Sequence, residues 1–334
     1  ASGNESAQGA ESCTTTLAAW SGTKLLGTDA VDNVYGLAVD ESGNLYVTGI
    51  SYGSLDGNTS AGECDIILVK YNDAGIKQWT RQLGSSSEDT AIRVAVDGNG
   101  NIYVAGYTTG NLDGNTNAGK VDIILVKYNS AGIKQWTRQL GSPDVDQAFG
   151  VGLDTSGNIY VAGVTYSSLD GYTRAGEFDI FLVKYNSAGE KQWIRQLGSA
   201  ATDEAYALAV DANGNSYITG LTTGDLDGNA NAGGWDMFLV KYDTTGTKQW
   251  TRLLGTTLDE YGYGIALDNT GDVYVSGTTT GSLDGNTSAG GEDIFLVKYN
   301  AAGTLQWLRQ MGTSTDDESV DVALDTGGNI FIVG

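Results

Sequence analysis

The chain has 334 residues and a formal net charge of −23, which comes from 41 acidic and 18 basic side chains. A surface this acidic repels phosphate backbones, which argues against a nucleic-acid partner. The sequence contains no histidine, and this excludes Ser-His-Asp and Cys-His catalysis and histidine-ligated zinc. It also contains no apolar run of the length that a membrane-spanning helix needs, so we expect no membrane span.

The chain begins with a small, polar segment, residues 1–17, which we expect to be a flexible arm before a single domain over residues 18–334. The segment lacks the basic start and apolar stretch of a signal peptide, and its first residue, Ala1, suits the start of a mature exported chain. It carries Cys13, whose spacing from Cys64 matches no metal or redox motif. A disulfide between the two cysteines and two free thiols are both open.

A repeat of 57 residues organises the rest of the chain, as the spacing of five tryptophans indicates: Trp79, Trp136, Trp193, Trp250 and Trp307. Each unit predicts four strands, typified in chain order by "GVGLD", "NIYVAG", "DIFLVKYN" and "KQWIRQLG" in the third unit. Tight turns such as "DTSGN" separate them. Four short strands per repeat are typical of the blades of a β-propeller.

The number of units predicts how the ring closes. The N-terminal part supplies only a fourth strand, around Trp20, and five complete units follow. The chain ends with first and second strands around Val322 and Ile330. We expect an all-β propeller of six four-stranded blades in which the terminal strands share one mixed blade. The third strand of that blade has no equivalent in the sequence, and the N-terminal arm, a longer native chain or a strand donated by a second copy are open alternatives.

The run "GNIYVAGYTTG…DIILVKYNSAGIKQWTRQLGS" resembles the SBBP repeat, a bacterial β-propeller repeat similar in style to NHL repeats. The resemblance extends over roughly residues 18–334. It implies a bacterial protein that is secreted or held at the cell surface. It brings no catalytic residues to this chain, because the family has no general active-site motif.

Acidic residues recur at one end of the predicted blades. If the first strand of each unit is innermost, the connection from the fourth strand to the next unit places an acid at the mouth of a central channel in every unit. These acids are Asp32, Asp89, Asp146, Asp203, Glu260 and Asp317. The repeated lysines are expected toward the opposite end. The alternative interpretation is that each acid accepts backbone N–H groups in a turn.

The loops between the second and third strands offer oxygen ligands of the kind that calcium prefers. Their "DGN" start resembles the opening of a calcium loop, although the bidentate glutamate is missing. The candidate ligands are Asp56, Asn58, Asp65, Asp113, Asn115, Asp122, Asp170, Asp179, Asp227, Asn229, Asp236, Asp284, Asn286 and Asp293. The alternative is that Asp-Gly forms a turn and the later aspartate caps a strand.

The aromatic residues are interpreted mainly as core. The regular tryptophans are expected to pack between blades. Trp235 occurs in one unit only, in the loop before the third strand, where its counterparts are Cys64, Val121, Phe178 and Glu292. We interpret it as a plug that reaches from the loop to the core.

The near-identity of the units favours a non-catalytic module that binds another molecule or assembles with itself, because enzymes usually break repeat symmetry at the working site. A protein, a surface glycan or a second copy of the chain are the expected partners, and calcium is the one cofactor considered. The competing hypothesis is a calcium-dependent carbohydrate-active enzyme that uses the channel-mouth acids.

Overall fold

The computed structural model describes residues 24–334, which contain 22 β-strands joined by turns and loops. Twenty of these strands form five antiparallel four-stranded sheets, each with its strands in sequential order. The last two strands form a two-stranded sheet. The four strands predicted for each complete repeat unit are therefore confirmed.

The first sheet contains β1 (Asp32–Val39), β2 (Leu45–Ser51), β3 (Asp65–Tyr71) and β4 (Lys77–Leu83). The second contains β5 (Asp89–Val96), β6 (Ile102–Thr108), β7 (Asp122–Tyr128) and β8 (Lys134–Leu140). The third contains β9 (Asp146–Leu153), β10 (Ile159–Thr165), β11 (Asp179–Tyr185) and β12 (Lys191–Leu197). The fourth contains β13 (Asp203–Val210), β14 (Ser216–Thr222), β15 (Asp236–Tyr242) and β16 (Lys248–Leu254). The fifth contains β17 (Glu260–Leu267), β18 (Val273–Thr279), β19 (Asp293–Tyr299) and β20 (Leu305–Met311), and β21 (Asp321–Leu324) and β22 (Ile330–Val333) follow.

The antiparallel order gives the series of sheets two different ends. The tight turns between first and second strands and between third and fourth strands lie at one end, the hairpin face. The longer second-to-third loops and the connections between units start from the other end, the loop face. First strands of consecutive sheets contact one another from β1 to β21, so the first strand of each unit is the inner one.

An aspartate closes each turn between a first and a second strand. In the third unit the Oδ1 atom of Asp154 accepts the N–H groups of Ser156 and Asn158 at 2.9 Å each, and Gly157 takes a φ of 78°. This Asx turn satisfies backbone donors between the strands. The same aspartate recurs in the other units as Asp40, Asp97, Asp211, Asp268 and Asp325.

Each complete first strand contains a β-bulge. The pairing of β9 with β10 shifts between Ala148 and Gly150, which leaves Phe149 without a pairing partner. Gly163 lies opposite, where a Cβ atom would come within 1.9 Å of the carbonyl oxygen of Gln147. The glycine that ends "YVAG" is therefore required by the close approach of the bulged strand. The bulged residues of the five units are Tyr35, Ile92, Phe149, Tyr206 and Tyr263.

The core consists of apolar layers between consecutive sheets. In one layer, Tyr103 and Leu125 of the second sheet are buried together with Phe181 and Val183 of the third. Trp136 packs against the margin of this layer. Each fully buried side chain of this size contributes about 1.5–3 kcal/mol to stability. The prediction that the regular tryptophans pack between units is confirmed.

An arginine in the fourth strand ties its sheet to the next one. Arg195 donates from Nε to the carbonyl oxygen of Gly246 at 2.7 Å and from Nη2 to that of Thr245 at 2.9 Å. Both carbonyls belong to the turn between β15 and β16 of the following sheet. The guanidinium also lies over the ring of Trp193, 5.1 Å from its centroid. We call this arrangement the arginine clasp, and it recurs at Arg81, Arg138 and Arg252.

The two ends of the sheet series face each other across a cavity of about 440 Å³. Val34 and Leu37 of β1 line one side, and Val322 and Phe331 of the last sheet line the other. Leu37 is 62 % exposed, whereas its counterpart Val94 in the second sheet is 7 % exposed. The strand predicted around Trp20, with which we expected the ring to close, lies outside the described residues.

The arginine clasp predicts a position-dependent loss of stability. Arg195→Lys should lower the free energy of unfolding by about 1–3 kcal/mol, because one ammonium group cannot bond two carbonyls in the geometry of the guanidinium fork. Arg309 provides a matched control, since its guanidinium lies over Trp307 and donates to the carbonyl of its neighbour Leu308 in the described structure. Arg309→Lys should change stability by less than about 0.5 kcal/mol. Urea unfolding of the two variants checks this, and equal losses would contradict the clasp.

Candidate functional site

On the loop face, the residue before each third strand is fixed beside the connection to the next unit. The N–H of Asp203 donates to the carbonyl oxygen of Phe178 at 3.0 Å, and the N–H of Asp317 donates to that of Glu292 at 2.8 Å. This pairing places one position per unit close to the inner strands. The position holds a different residue in each unit: Cys64, Val121, Phe178, Trp235 and Glu292.

The acids expected at the channel mouth close turns instead of lining the mouth. Asp89, Asp146, Asp203 and Glu260 are each 0 % exposed. Asp203 accepts the N–H of Ser199 and the hydroxyl of Thr222, both at 2.5 Å. Burial raises the pKa of Asp203, and these hydrogen bonds act in the opposite direction. Asp32 and Asp317, in the end units, accept the N–H groups of Thr28 and Thr313 at 2.6 Å.

The capping interpretation of these acids therefore replaces the channel-mouth one. The physical reason is that the turns of the connections between units leave backbone N–H and hydroxyl groups that need an acceptor, and the acid beside each turn supplies it. A carboxylate is the strongest acceptor available for them.

The "LDGN" loops turn back along the fourth strand of their own sheet. Asp56 and Gly57 take φ values of 53° and 81° in a turn that the N–H of Asn58 closes onto Leu55. The carboxylate of Asp56 lies 2.6 Å from the Lys77 ammonium. It also accepts the Thr80 hydroxyl at 2.7 Å. These two groups hold the pKa of Asp56 below its ordinary value.

The same ion pair recurs in three further units, between Asp113 and Lys134, Asp170 and Lys191, and Asp227 and Lys248. The fifth unit differs, because Leu305 stands where the others have the lysine and leaves Asp284 without this partner. The amide groups of Asn58, Asn115, Asn229 and Asn286 donate to the carbonyl of the leucine three residues earlier. These aspartates and lysines therefore meet, which corrects the expectation that they lie at opposite ends.

The aspartate that opens each third strand is buried at a different place from the "LDGN" aspartate. Asp65 accepts the N–H of Ala61 and the side-chain amide of Gln82 at 2.8 Å each. Asp122, Asp179, Asp236 and Asp293 occupy the same position in their units and accept the N–H of the equivalent alanine. In residues 24–334, no group of three or more acidic, cysteine or histidine side chains is arranged to hold a metal ion. The predicted ligands are thus not brought together, and calcium binding stays a prediction.

The bulged residues converge on a cavity of about 290 Å³ between the inner strands. Ile92, Phe149, Tyr206 and Tyr263 line it from four consecutive units, together with Glu318 and Val320 before β21. Because one cavity is lined by five consecutive units, the inner strands surround a common axis.

A continuous row of aromatic rings leads out of this cavity to the loop face. Phe149 and Tyr206 meet edge to face at 6.2 Å between ring centroids, and Tyr206 stacks on Tyr263 at 5.5 Å. Tyr261 and Tyr263 are parallel within 2° at 5.8 Å. Trp235 follows at 5.3 Å from Tyr261. We call these five residues the aromatic ladder.

Trp235 is not a core plug, which corrects the interpretation from sequence. It is 37 % exposed and forms the outer end of the ladder. The backbone N–H of Trp235 donates to the carboxylate of Asp259 at 3.1 Å, which fixes the loop against the next connection. The ring of Tyr261 packs against the Trp235 side chain at an interplanar angle of 60°.

Carboxylates surround the inner tyrosines. Tyr206 donates its hydroxyl to Glu204 at 2.7 Å. Burial, with the nearby charges of Glu292, Glu318 and Glu204, raises the pKa of Tyr263 to about 12. Burial and the charges of Glu318, Asp316 and Asp259 raise the pKa of Glu292. The ladder therefore combines flat apolar surfaces with a concentrated negative charge.

The aromatic ladder was not predicted from the sequence, because the predictions relied on the residues that the repeat units share. The ladder residues stand at the bulged position, two residues before it, and at the position before the third strand. Aligned by the 57-residue period, these columns differ between the units, and their aromatic content in the third to fifth units was the available signal.

Cys64 occupies the variable position of the first unit. It is a buried thiol, and burial raises its pKa. Cys13 lies outside the described residues, so a disulfide between the two cysteines and two free thiols both stay open.

The five sheets around a common axis define a β-propeller architecture. A family model for the SBBP beta-propeller repeat matches residues 22–56, 78–113, 135–170, 192–227 and 249–284. The chain belongs to this family, as the resemblance of its repeats indicated. Two solved structures share the fold. A catalytically inactive virginiamycin B lyase from Staphylococcus aureus with quinupristin matches with a TM-score of 0.52 and 10% identity, over 93% of this chain and 80% of that chain. The Pan2 WD40 domain of Neurospora crassa matches with a TM-score of 0.50 and 9% identity, over 87% and 68%.

Two curated relatives are much longer than this chain. An uncharacterized WD repeat-containing protein of Acanthamoeba polyphaga mimivirus is 25% identical over 353 residues, which cover 80% of this chain and 25% of the relative. The regulatory protein FlaEY of Caulobacter vibrioides is 29% identical over 211 residues, which cover 57% of this chain and 21% of that protein. The chain therefore spans about a quarter or less of either relative. Residues 24–334 include no helix that is long and apolar enough to cross a membrane.

Calcium binding has a direct test. Calcium binding through the "LDGN" loops requires the melting midpoint to be higher in millimolar calcium than in chelator at constant ionic strength. A ligand that binds only the folded state at a hundred-fold excess over its Kd adds about 2.7 kcal/mol and raises the midpoint. An unchanged midpoint would contradict calcium binding and leave the lysine ammonium groups as the charge partners of Asp56, Asp113, Asp170 and Asp227.

Proposed function

We propose that this protein is a non-catalytic binding module that captures a protein partner on its loop face, with the aromatic ladder at the centre of the contact. The observation that carries the proposal is the ladder itself, since it is a contiguous aromatic surface that runs from a cavity to the exterior. Aromatic residues supply most of the binding energy in many protein interfaces.

The distribution of sequence differences supports this assignment. The turn aspartates and inter-sheet layers repeat in every complete unit, the arginine clasp repeats in four of the five, and all serve the scaffold. The columns that supply the ladder differ between units and lie around the cavity and on the loop face. A repeat scaffold whose units differ around a cavity is suited to recognise a partner there.

A non-enzymatic role agrees with the relatives, one described as a WD repeat-containing protein and one as a regulatory protein. The acids that the enzyme hypothesis required are buried and bonded to backbone groups. We therefore rank the carbohydrate-active enzyme second. A surface glycan is the other candidate ligand, because sugar rings also stack on exposed aromatic faces.

We further propose that the terminal strands complete a six-bladed ring and that the protein works outside the cell or at its surface. The cavity between β1 and the last sheet supports the first point, since Leu37 and its neighbours need a cover. Self-association by strand donation is one way to provide it. A closed ring would remove the exposed sheet edge.

The loop-face assignment predicts an asymmetric effect of surface substitutions. The double variant Trp235→Ala and Tyr261→Ala should weaken capture of the native partner by at least about tenfold, because it removes the outer ladder rings. Ile76→Ala with Ile133→Ala is the matched control. Both isoleucines are exposed, at 60 % and 59 %, but lie on the hairpin face.

Capture is measured with purified protein immobilised on beads against extracts of the source cells, and each bound protein is then confirmed with purified components. Loss of capture in the hairpin-face variant, with capture retained in the ladder variant, would contradict the proposal. If the ligand proves to be a glycan and no protein partner is captured, the proposal of a protein partner is wrong and the surface glycan takes its place.

A further inference from the structure

The outer ladder presents a surface whose charge is not neutralised. In residues 24–334 the carboxylates of Glu292 and Glu318 take part in none of the ion pairs or side-chain hydrogen bonds. Their neighbours Asp259 and Asp316 accept the N–H groups of Trp235 and Glu292. Four carboxylates therefore lie close together beside the rings of Tyr261 and Tyr263, and the like charges contribute to the raised pKa of Glu292.

Arg93 is a basic residue that lines the cavity between the inner strands, but its guanidinium bonds backbone carbonyls. Arg93 donates from Nη1 to the carbonyl oxygens of Tyr35 and Ile92, at 3.0 and 3.4 Å. Its charge also acts on Asp321 of β21. Arg93 therefore has its own partners, and the surface formed by Glu292, Glu318 and their neighbours remains acidic.

We propose that the outer ladder and the carboxylates of Glu292 and Glu318 form a receptor for an arginine side chain of a basic segment in the partner protein. The inference rests on the proposed function and specifies its ligand. A guanidinium is flat, stacks on aromatic faces and bonds carboxylates with two parallel N–H groups. The flat rings of Tyr261 and Tyr263 and the unpaired carboxylates supply these two kinds of contact together.

Size and charge both favour a side chain of a protein over a larger cofactor. The cavity of about 290 Å³ lies at the small end of ligand pockets. The ladder continues beyond it to Trp235 at the rim, so residues that flank the arginine have a surface to contact. The net charge of −23 also steers a basic segment toward this protein.

The test uses two blocked peptides of matched shape. One contains three arginines separated by glycines, and the other carries citrulline at those positions, which lacks the charge and has a carbonyl oxygen in place of one N–H donor group. Titration calorimetry with the purified protein at low salt should give the arginine peptide at least about tenfold higher affinity. Added salt should reduce that difference.

Variants locate the contact. Glu292→Gln with Glu318→Gln keeps side-chain shape and should reduce the affinity for the arginine peptide about tenfold. Glu63→Gln with Glu177→Gln removes the same amount of charge from exposed loop positions in the first and third units and should have less than about a twofold effect. Tyr261→Phe should bind the arginine peptide as the wild type does, because the ring is kept, whereas Tyr261→Ala should bind it more weakly. Unchanged melting midpoints establish that the variants are folded.

The outcomes separate this inference from the proposed function. Equal binding of both peptides, or equal weakening by the two Glu→Gln double variants, overturns the arginine receptor. If partner capture still depends on Trp235 and Tyr261 in that case, the loop-face interaction stands and its ligand is not cationic. If neither arginine binding nor partner capture depends on the ladder, both proposals are wrong.

Discussion

The stability of each four-stranded sheet in this protein depends on the neighbouring sheets. Both faces of a sheet carry apolar side chains, and a single sheet can bury neither face. The arginine clasp is one interaction that holds neighbouring sheets together. A guanidinium over a tryptophan ring reaches two carbonyls in the next turn, which joins the fourth strand of one sheet to the following sheet. The same contact recurs at Arg81, Arg138 and Arg252, while the apolar layers between the sheets determine the angle at which they pack.

The buried acids extend the same constraint to the loop face. Asp203 holds Ser199 of the connection and Thr222 of the second strand in its own sheet, while its N–H is held by Phe178 of the preceding unit. Three segments from two units are therefore locked at one carboxylate. A charge buried in this way is tolerable because each of its hydrogen bonds offsets part of the desolvation cost.

This rigid frame is what makes the aromatic ladder usable as a binding surface. The bulge turns Phe149, Tyr206 and Tyr263 toward the axis, and the frame holds their rings in contact. A ligand therefore meets a surface that is already ordered, so little conformational entropy is lost on binding. The positions at the bulge and before the third strand take no part in the clasps or in the buried acids, so the proposed binding surface can vary while the frame is kept.

The sequence by itself determined the four strands of each unit, the 57-residue register and the packing role of the regular tryptophans. These features follow from local patterns, such as alternation in "NIYVAG" and turn residues at fixed offsets, and duplication makes them visible. The tertiary structure decided the roles of the polar residues. Asp56 and Lys77 lie far apart in the predicted strand diagram, yet they pair because the "LDGN" loop turns back along the fourth strand. Trp235 and Tyr261 belong to different units and become neighbours through the curvature of the ring. Local sequence patterns indicate which residues lie in a strand. Contacts between units depend instead on the angle at which the sheets pack, and that angle is a property of the assembled core.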